Sequence, residues 1–366
     1  MTRPPAARED APTDPVAVGP LNGLADIEGL RVGHAAAEDR PTGVTIVLCD
    51  ALTPASVDVR GGGPATRETD LLRHGASVGA AHAILLSGGS VFGLAAADAA
   101  ARRLSSQGVG LIPTPGAPPV PIAPAACLYD LPLAAAEGWS ESGPPYARLA
   151  EAALDNAKKD GRAAPRLGAV GAGRGARAGA YPGGLGEASL DLGGGLVVAA
   201  LTAANPVGSP YMSDGRSFWA WPLERAWRGA PEFGGARPVA ETSAPAPPHP
   251  NDAKLPADAA TLLQAAPATR APLSLNTALS IVATNAPLTS AELHRVAVMA
   301  HDGFARAVRP AHTPFDGDTV FALGTGRGPT PPAAKRLALV GLIGAAASDC
   351  LARALCRGVH AADPRA

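Results

Sequence analysis

LSLNTALSIVATNAPLT, residues 273–289, is a strand-like run rich in β-branched residues, and the chain changes character on either side of it. Before it, residues 228–272 hold nine Pro and thirteen Ala in 45 positions, with no sustained period of two or of 3.6. That is the composition of a flexible linker, not of a packed element. A structureless stretch of this length inside a compact chain calls for a domain boundary or a functional explanation. After the run, Thr289 and Glu292 make a capping box for a helix whose Leu293, Val296, Ala300, Phe304 and Ala307 share one face. Gly317 interrupts the chain ahead of a strand, DTVFALGTG (318–326), and Pro331 and Pro332 open a last helix towards Cys356. Strand, helix, strand, helix without strict alternation points to a layered α/β or α+β sandwich.

The dipeptide Asn276-Thr277, where the linker meets the strand, has two readings. Thr277 is a β-branched residue of the kind strands use. It is also placed to attack its own preceding carbonyl through Oγ, giving an ester that water hydrolyses and leaving Thr277 as a new N-terminus. The freed α-amino group, with a reference pKa of about 7.7 to 8, would then serve as general base for the same hydroxyl. From the dipeptide alone the strand-residue reading is preferred.

Working back towards the N-terminus, HAILLSGGSVFGLAAADAAARRLSSQG (82–108) reads as strand, tight turn and helix. VTIVLCD (44–50) is a strand candidate, GVGLIPT (108–114) and VPIAPAACLYDL (120–131) are extended chain broken by Pro, and YARLAEAALDNAKKD (146–160) has helical spacing. LGGGLVVAALTAAN (192–205) is a buried strand ending in Asn205. Residues 1–20, with five prolines and no hydrophobic periodicity, read as a mobile tail, leaving 21–366 as one domain.

The 366 residues suffice for one large α/β domain, so a disulfide-stapled miniature is excluded. Lys plus Arg is 31 and Asp plus Glu is 32, and the net charge of −1 provides no basic field for nucleic acid. Cys49, Cys127, Cys350 and Cys356 form no CxxC pair and no zinc spacing, and the opening MTRPPAARED lacks the apolar run of a signal peptide. We therefore expect a reducing, cytoplasmic setting. The longest apolar stretches, 192–204 and 337–347, fall short of the roughly 20 residues of a membrane helix.

Three motifs can be weighed against simpler roles. The turn at Gly88, Gly89 and Ser90 is a near miss for the nucleophile elbow, because Phe92 stands where its last Gly belongs; a packing or substrate-proximal turn is the preferred reading. GRGARA (173–178) satisfies a dinucleotide fingerprint, yet Gly179, Pro182, Gly183, Gly184 and Gly186 would ruin the helix that must follow. HTPFDGDT brings His312, Asp316 and Asp318 together, with His301 and Asp302 upstream read as helix surface residues or caps. Without a paired-histidine ligand set, no metal is expected there.

Taken together, ILLSGGSVFGLAAADA (84–99), VPIAPAACLYDL, VGAGRGARAG with GGLGEAS, NTALSIVATNAPLT and VAVMAHDGFARAVRPAHTPFDGDTVFALGTG (296–326) carry a resemblance over about 21–356. The chain resembles the family of the L-aminopeptidase/D-esterase DmpA, the β-peptidyl aminopeptidases and the nylon-oligomer (6-aminohexanoate-oligomer) endohydrolases, and within it the threonine-nucleophile, nylon-hydrolase branch. The resemblance implies a four-layer αββα sandwich of the N-terminal-nucleophile-hydrolase kind, cut between Asn276 and Thr277. It implies Thr277 as nucleophile, Asp316 and Asp318 as the acidic pair that orients it, and Asn205 near the oxyanion. No cofactor is implied, and the expected partners are a small peptide or amide substrate and further copies of the chain, a tetramer among the states allowed. The expected activity is amide hydrolysis on small peptides or short linear amides, with endo-hydrolysis of oligoamides or a non-cleaving binding role as the alternatives. Two departures stand out: Tyr181-Pro182 precede Gly183 where that branch commonly has Lys, with Arg177 nearby, and the linker is longer than the family pattern.

Overall fold

The computed structural model describes residues 16–73, 75–135, 138–139, 143–238 and 276–366. Along the chain come β1 (Ala17–Val18), β2 (Leu30–Ala36), β3 (Gly43–Val59), β4 (Ala65–Arg67), β5 (Ala80–Ser87), α1 (Ala95–Ser106), β6 (Ala125–Cys127) and α2 (Leu131–Ala134). There follow α3 (Tyr146–Asp160), β7 (Arg177–Ala178), β8 (Tyr181–Pro182), β9 (Gly184–Asp191), β10 (Val197–Ala204), β11 (Ala226–Trp227) and β12 (Ala230–Pro231). The C-terminal part supplies β13 (Leu279–Thr284), α4 (Ser290–Ala300), α5 (Asp302–Ala307), β14 (Thr319–Gly324) and α6 (Arg336–Ala362).

The main strands pair in the order β1-β9-β10-β13-β14-β3-β5-β6-β4, with β2 on β3. Two sheets arise because β3 serves both. Its first half pairs with β2 and β5, a register shift follows between Leu48 and Thr53, and its last residues pair with β14. A bulge of this kind bends a strand and re-aims its second half, which turns one sheet onto the other.

Alternation along each strand then assigns the layers. On β10, Ala199, Leu201 and Ala203 enter the core between the sheets, while Val198 and Ala200 face the helical layer of α4, α5 and α6. On β3, Val47 and Val57 point between the sheets, whereas Val44, Ile46 and Leu48 meet α1 and α3. Helices, sheet, sheet and helices make the expected αββα sandwich. Strands buried on both faces read as unbroken apolar runs, which is why these were visible in the sequence. The amphipathic helix at 146–160 is α3, burying Tyr146, Leu149, Ala150, Ala153, Leu154 and Ala157 at helical spacing.

Several expectations need correction. The tail ends earlier than residue 20: Ala17 and Val18 pair with Asp191 and Leu190, since β9 offers an open edge that a short strand covers. Residues 1–15 lie outside the described part. Residues 228–238 of the expected linker are ordered, with β11 and β12 forming a small hairpin, Glu232 paired with buried Arg353 and Phe233 packed on Phe218. Composition does not register such distant partners; residues 239–272 lie outside the described part. The helix after the capping box is broken at His301 into α4 and α5, although all five face residues are buried. Of the two roles read for His301, it has that of a cap, closing α4 and opening α5, and not that of a surface residue: it is 1% exposed, and its Nε2 donates to the Asp58 carbonyl at 3.0 Å. The last helix is found where expected and buried as expected, with shifted ends: α6 begins at Arg336 and passes Cys356 to reach Ala362.

Candidate active site

Strand register alone brings the candidate residues side by side. Antiparallel pairing of Ala203 with Leu279, continued two residues outward, sets Asn205 opposite Thr277. Parallel pairing of Leu279 with Thr319, continued in the same way, sets Thr277 beside Gly317, and Asn276 bridges to Asp316. The site therefore sits where β10, β13 and β14 end together.

The bond between Asn276 and Thr277 is held from three sides. Asn276 N–H donates to the Phe315 carbonyl at 3.0 Å, and its side-chain amide donates to the Pro206 carbonyl at 2.9 Å. Thr277 N–H donates to the Asn205 carbonyl at 2.7 Å. The Asn276 carbonyl oxygen receives the Gly317 N–H at 3.0 Å and, in a short contact, the Thr277 hydroxyl. A hydroxyl so placed lies against the carbonyl group it would attack, while an N–H donor polarises that carbonyl. Glycine is required at 317, since a Cβ there would stand 2.7 Å from Thr277 Oγ1 and 2.9 Å from the Gly63 carbonyl oxygen.

Both acidic residues are buried, and their carboxylates do different work. Asp318 Oδ1 accepts from Ala278 N–H at 2.8 Å, so this carboxylate seats the residue directly after Thr277. Its Oδ2 accepts from the N–H of His312 at 3.1 Å and from His312 Nδ1 at 2.7 Å. Asp316 has no direct bond to Thr277: Oδ1 takes Val207 N–H at 2.9 Å, and Oδ2 takes the N–H and hydroxyl of Thr313 at 2.9 and 2.6 Å. Burial, reinforced by the nearby charge of Asp318, raises the Asp316 pKa above the ordinary carboxylate value.

Asn205 contacts Thr277 through its backbone carbonyl. Its side-chain oxygen accepts from Arg177 N–H at 2.8 Å, and its amide donates to the Tyr129 carbonyl at 3.2 Å. The Arg177 guanidinium turns back on its own hairpin and donates to the Ala180 carbonyl at 2.7 Å. Tyr181, at the position before Pro182, stacks edge-on against Tyr211 at 4.7 Å and lies under the Arg365 guanidinium.

The turn at Gly88, Gly89 and Ser90 is a separate assembly. Gly89 N–H donates to Asp130 Oδ1 at 2.8 Å, and the Thr42 hydroxyl donates to Asp130 Oδ2 at 2.6 Å. It is tied to the Thr277 cluster through the backbone at 128–130, where the Tyr129 carbonyl holds Asn205. Among the described residues, Ser90 Oγ makes no hydrogen bond to a histidine or carboxylate, and no group of three or more His, Cys, Asp or Glu is arranged to hold a metal.

Sequence reading overlooked the three glycines at 61–63, whose N–H groups bond the carbonyls of Asp318, Thr313 and Asp316 and clamp the acidic turn in place. It also overlooked Thr313, although its spacing of three residues from Asp316 is that of a capping pair. The run RGGGP (60–64) was the available signal for the clamp.

Comparison with known proteins gives the family and the fold. The profile of peptidase family S58 matches residues 22–366. An uncharacterized aminopeptidase of Mycobacterium tuberculosis is 40% identical over 364 residues, covering 94% of this chain and 95% of the relative. The 6-aminohexanoate-oligomer endohydrolase of Paenarthrobacter ureafaciens is 28% identical over 324 residues, covering 85% and 78%. Among solved structures, the L-aminopeptidase D-Ala-esterase/amidase of Ochrobactrum anthropi, described as a variant of the Ntn-hydrolase fold, superposes with a TM-score of 0.59 at 18% identity, over 93% of this chain and 86% of that one. The fold, the family profile along almost the entire chain and the near full-length relative converge on one assignment: the chain belongs to peptidase family S58 and is a hydrolase of peptide or amide C–N bonds.

Proposed function

We propose that the chain is made as a precursor that cleaves its own Asn276–Thr277 bond and then uses Thr277 as an N-terminal nucleophile. The observation that carries this reading is the Thr277 hydroxyl lying on the carbonyl of its own peptide bond, with Gly317 N–H on the same oxygen. Oγ adds to the Asn276 carbonyl carbon, the C–N bond breaks, and the hydroxyl proton passes to the departing nitrogen. Water then hydrolyses the ester, giving an Asn276 carboxylate and a free Thr277 with both amine and hydroxyl.

In the matured enzyme the amine takes the proton from Oγ as Oγ attacks a substrate amide, and returns it to the leaving amine. Asp318 fixes Ala278 and so aims the nucleophile, while the Gly317 N–H is the oxyanion donor nearest the reacting carbonyl. Both fragments stay in one sandwich, because across the cut β13 is hydrogen-bonded to β10 and β14 to β3. The substrates are small peptides with a free N-terminus or short linear amides, in line with the aminopeptidase name of the more similar relative. The endohydrolase name of the other supports a second reading, cleavage within oligoamides.

Denaturing electrophoresis of the purified protein tests the cleavage. Splitting the 366 residues and 36.4 kDa after residue 276 gives bands of about 27 and 9 kDa. Thr277→Ala should give a single full-length band and no hydrolysis of a peptide anilide. An active wild-type enzyme that remains one uncut chain would refute the mechanism. Hydrolysis of the anilide but not of its N-acetylated form identifies the aminopeptidase mode; equal hydrolysis identifies the endo mode.

A further inference from the structure

Self-cleavage and substrate hydrolysis, in the mechanism above, pass through one kind of intermediate, an ester of Thr277 Oγ. In each, Oγ bonds the acyl carbon, a C–N bond breaks with the proton going to the nitrogen, and water then frees Oγ. The acyl residue of the first reaction is Asn276. Its contacts in the precursor are therefore those of a substrate residue already in place.

Asn276 is buried and bridges in parallel to Asp316. Both of its backbone groups are taken by the neighbours of that aspartate: its N–H donates to the Phe315 carbonyl and its carbonyl accepts the Gly317 N–H, each at 3.0 Å. A backbone held at both ends, as in strand addition, fixes where the side chain goes. The Asn276 amide points at two main-chain carbonyls, donating to Pro206 at 2.9 Å and to Arg177 at 3.4 Å. The N–H groups beside these carbonyls are engaged elsewhere, Arg177 N–H by the Asn205 side chain and Val207 N–H by Asp316. The Pro206 carbonyl also takes the Gly179 N–H at 3.2 Å. What faces the side chain is thus a pair of acceptors, and the cut alters none of the residues that supply them. Asn276 then becomes a chain end, and its new carboxylate joins the buried carboxyl groups of Asp316 and Asp318, a crowding that favours its exit.

We propose that the place of the Asn276 side chain is the acyl-side subsite of the matured enzyme, and that its best substrates carry a short amide side chain, asparagine foremost, on the residue whose carbonyl Thr277 attacks. The inference rests on the Thr277 mechanism proposed above. It holds for both modes of cleavage, because the Phe315 carbonyl accepts from a free amine or from a peptide N–H alike. Leucine and aspartate have nearly the shape of asparagine and so isolate the chemistry. Leucine leaves both carbonyls short of a donor, and aspartate sets acceptors against acceptors.

The acceptors are main-chain atoms that no substitution removes, so the test varies the residue they receive. Matured wild-type enzyme is assayed with the p-nitroanilides of L-asparagine and L-leucine and the α-p-nitroanilide of L-aspartic acid, an experiment that needs no variant to fold. We expect kcat/KM for the asparagine compound to exceed that for leucine by about tenfold, with aspartate lower still. Asn276→Leu and Asn276→Asp precursors should lose their full-length band more slowly than the wild type, in the same order. Equal rates on the three anilides, or leucine ahead of asparagine, would overturn the inference even if both precursors mature slowly, since the contacts would then serve self-cleavage alone. Thr277→Ala in the same assay separates the two readings. Residual hydrolysis there refutes the nucleophile assignment, whereas an inactive Thr277→Ala beside a cut wild type with no preference for asparagine refutes only the subsite.

Discussion

Two turns in this molecule are built from the same materials. Each follows or precedes a buried strand, each sets a hydroxyl residue beside a glycine, Ser90 next to Gly89 and Thr277 against Gly317, and each is organised around a buried aspartate. At the turn of residues 88–90, Asp130 receives the Gly89 N–H and the Thr42 hydroxyl, and the Ser90 backbone bonds Leu128; all of these bonds serve to hold the loop down. At the junction of residues 276–278, Asp318 holds the Ala278 N–H, and the hydroxyl of Thr277 rests on a peptide carbonyl that also accepts the Gly317 N–H. The difference lies in what the hydroxyl touches. A serine in a tight turn is a packing feature until an electrophile and a donor converge on it.

The sharpest way to break this comparison is to delete each hydroxyl. Ser90→Ala should leave self-cleavage and anilide hydrolysis at wild-type rates, against the complete loss expected for Thr277→Ala. A Ser90→Ala protein that fails to mature would make the first turn part of the chemistry. Next in size is Gly317→Ala. Its Cβ would press on Thr277 Oγ1 and on the Gly63 carbonyl oxygen, moving both the nucleophile and the oxyanion donor. We expect maturation to slow by about tenfold or more, since small displacements from attack geometry are costly, read from the time course of the full-length band. The matching change at the other turn is Gly89→Ala, where φ is 84° and the new Cβ would meet the Tyr146 ring at 2.1–2.3 Å. That should cost about 3 kcal/mol of stability in denaturant melts, with the folded fraction still maturing normally.

The sequence was most informative where burial is continuous. Runs such as Val44–Leu48 and Ala83–Ser87 lie in strands covered on both faces, and the capping pair Thr289 and Glu292 is a local signal that needs no tertiary partner. What escaped depends on contacts between distant residues. The second half of β3, ALTPASVDV, carries a proline and polar residues because it crosses from one sheet to the other, so it does not resemble a buried strand. Glu232 and Phe233 look like linker until Arg353 and Phe218, far along the chain, are placed against them. The site divides in the same way. Asn276, Thr277, His312, Asp316 and Asp318 were singled out from two segments of the sequence, whereas the clamp from residues 61–63 appears only once β3 and β14 are paired.

The smallest effect concerns the aspartate that only holds a loop. Burial outweighs the bonds from Thr42 and Gly89 and raises the Asp130 pKa from 3.8 to about 6. The folded state therefore binds this proton more tightly than the unfolded one. Its contribution to stability is complete below about 3.8 and is lost as the pH rises through about 6, a swing of at most about 3 kcal/mol. Asp130→Asn keeps an acceptor for Gly89 and can donate to the Thr42 oxygen, but it has no proton to lose. Wild-type and variant stabilities, measured by urea unfolding at several pH values, should diverge between these limits, with the variant losing less as the pH rises. Parallel curves would mean that Asp130 titrates normally and that the turn does not bury its carboxylate in solution. Because Tyr129 links this residue to Asn205, the same variant also measures how far the two turns are joined: an unchanged maturation rate would make the 88–90 turn an independent structural unit.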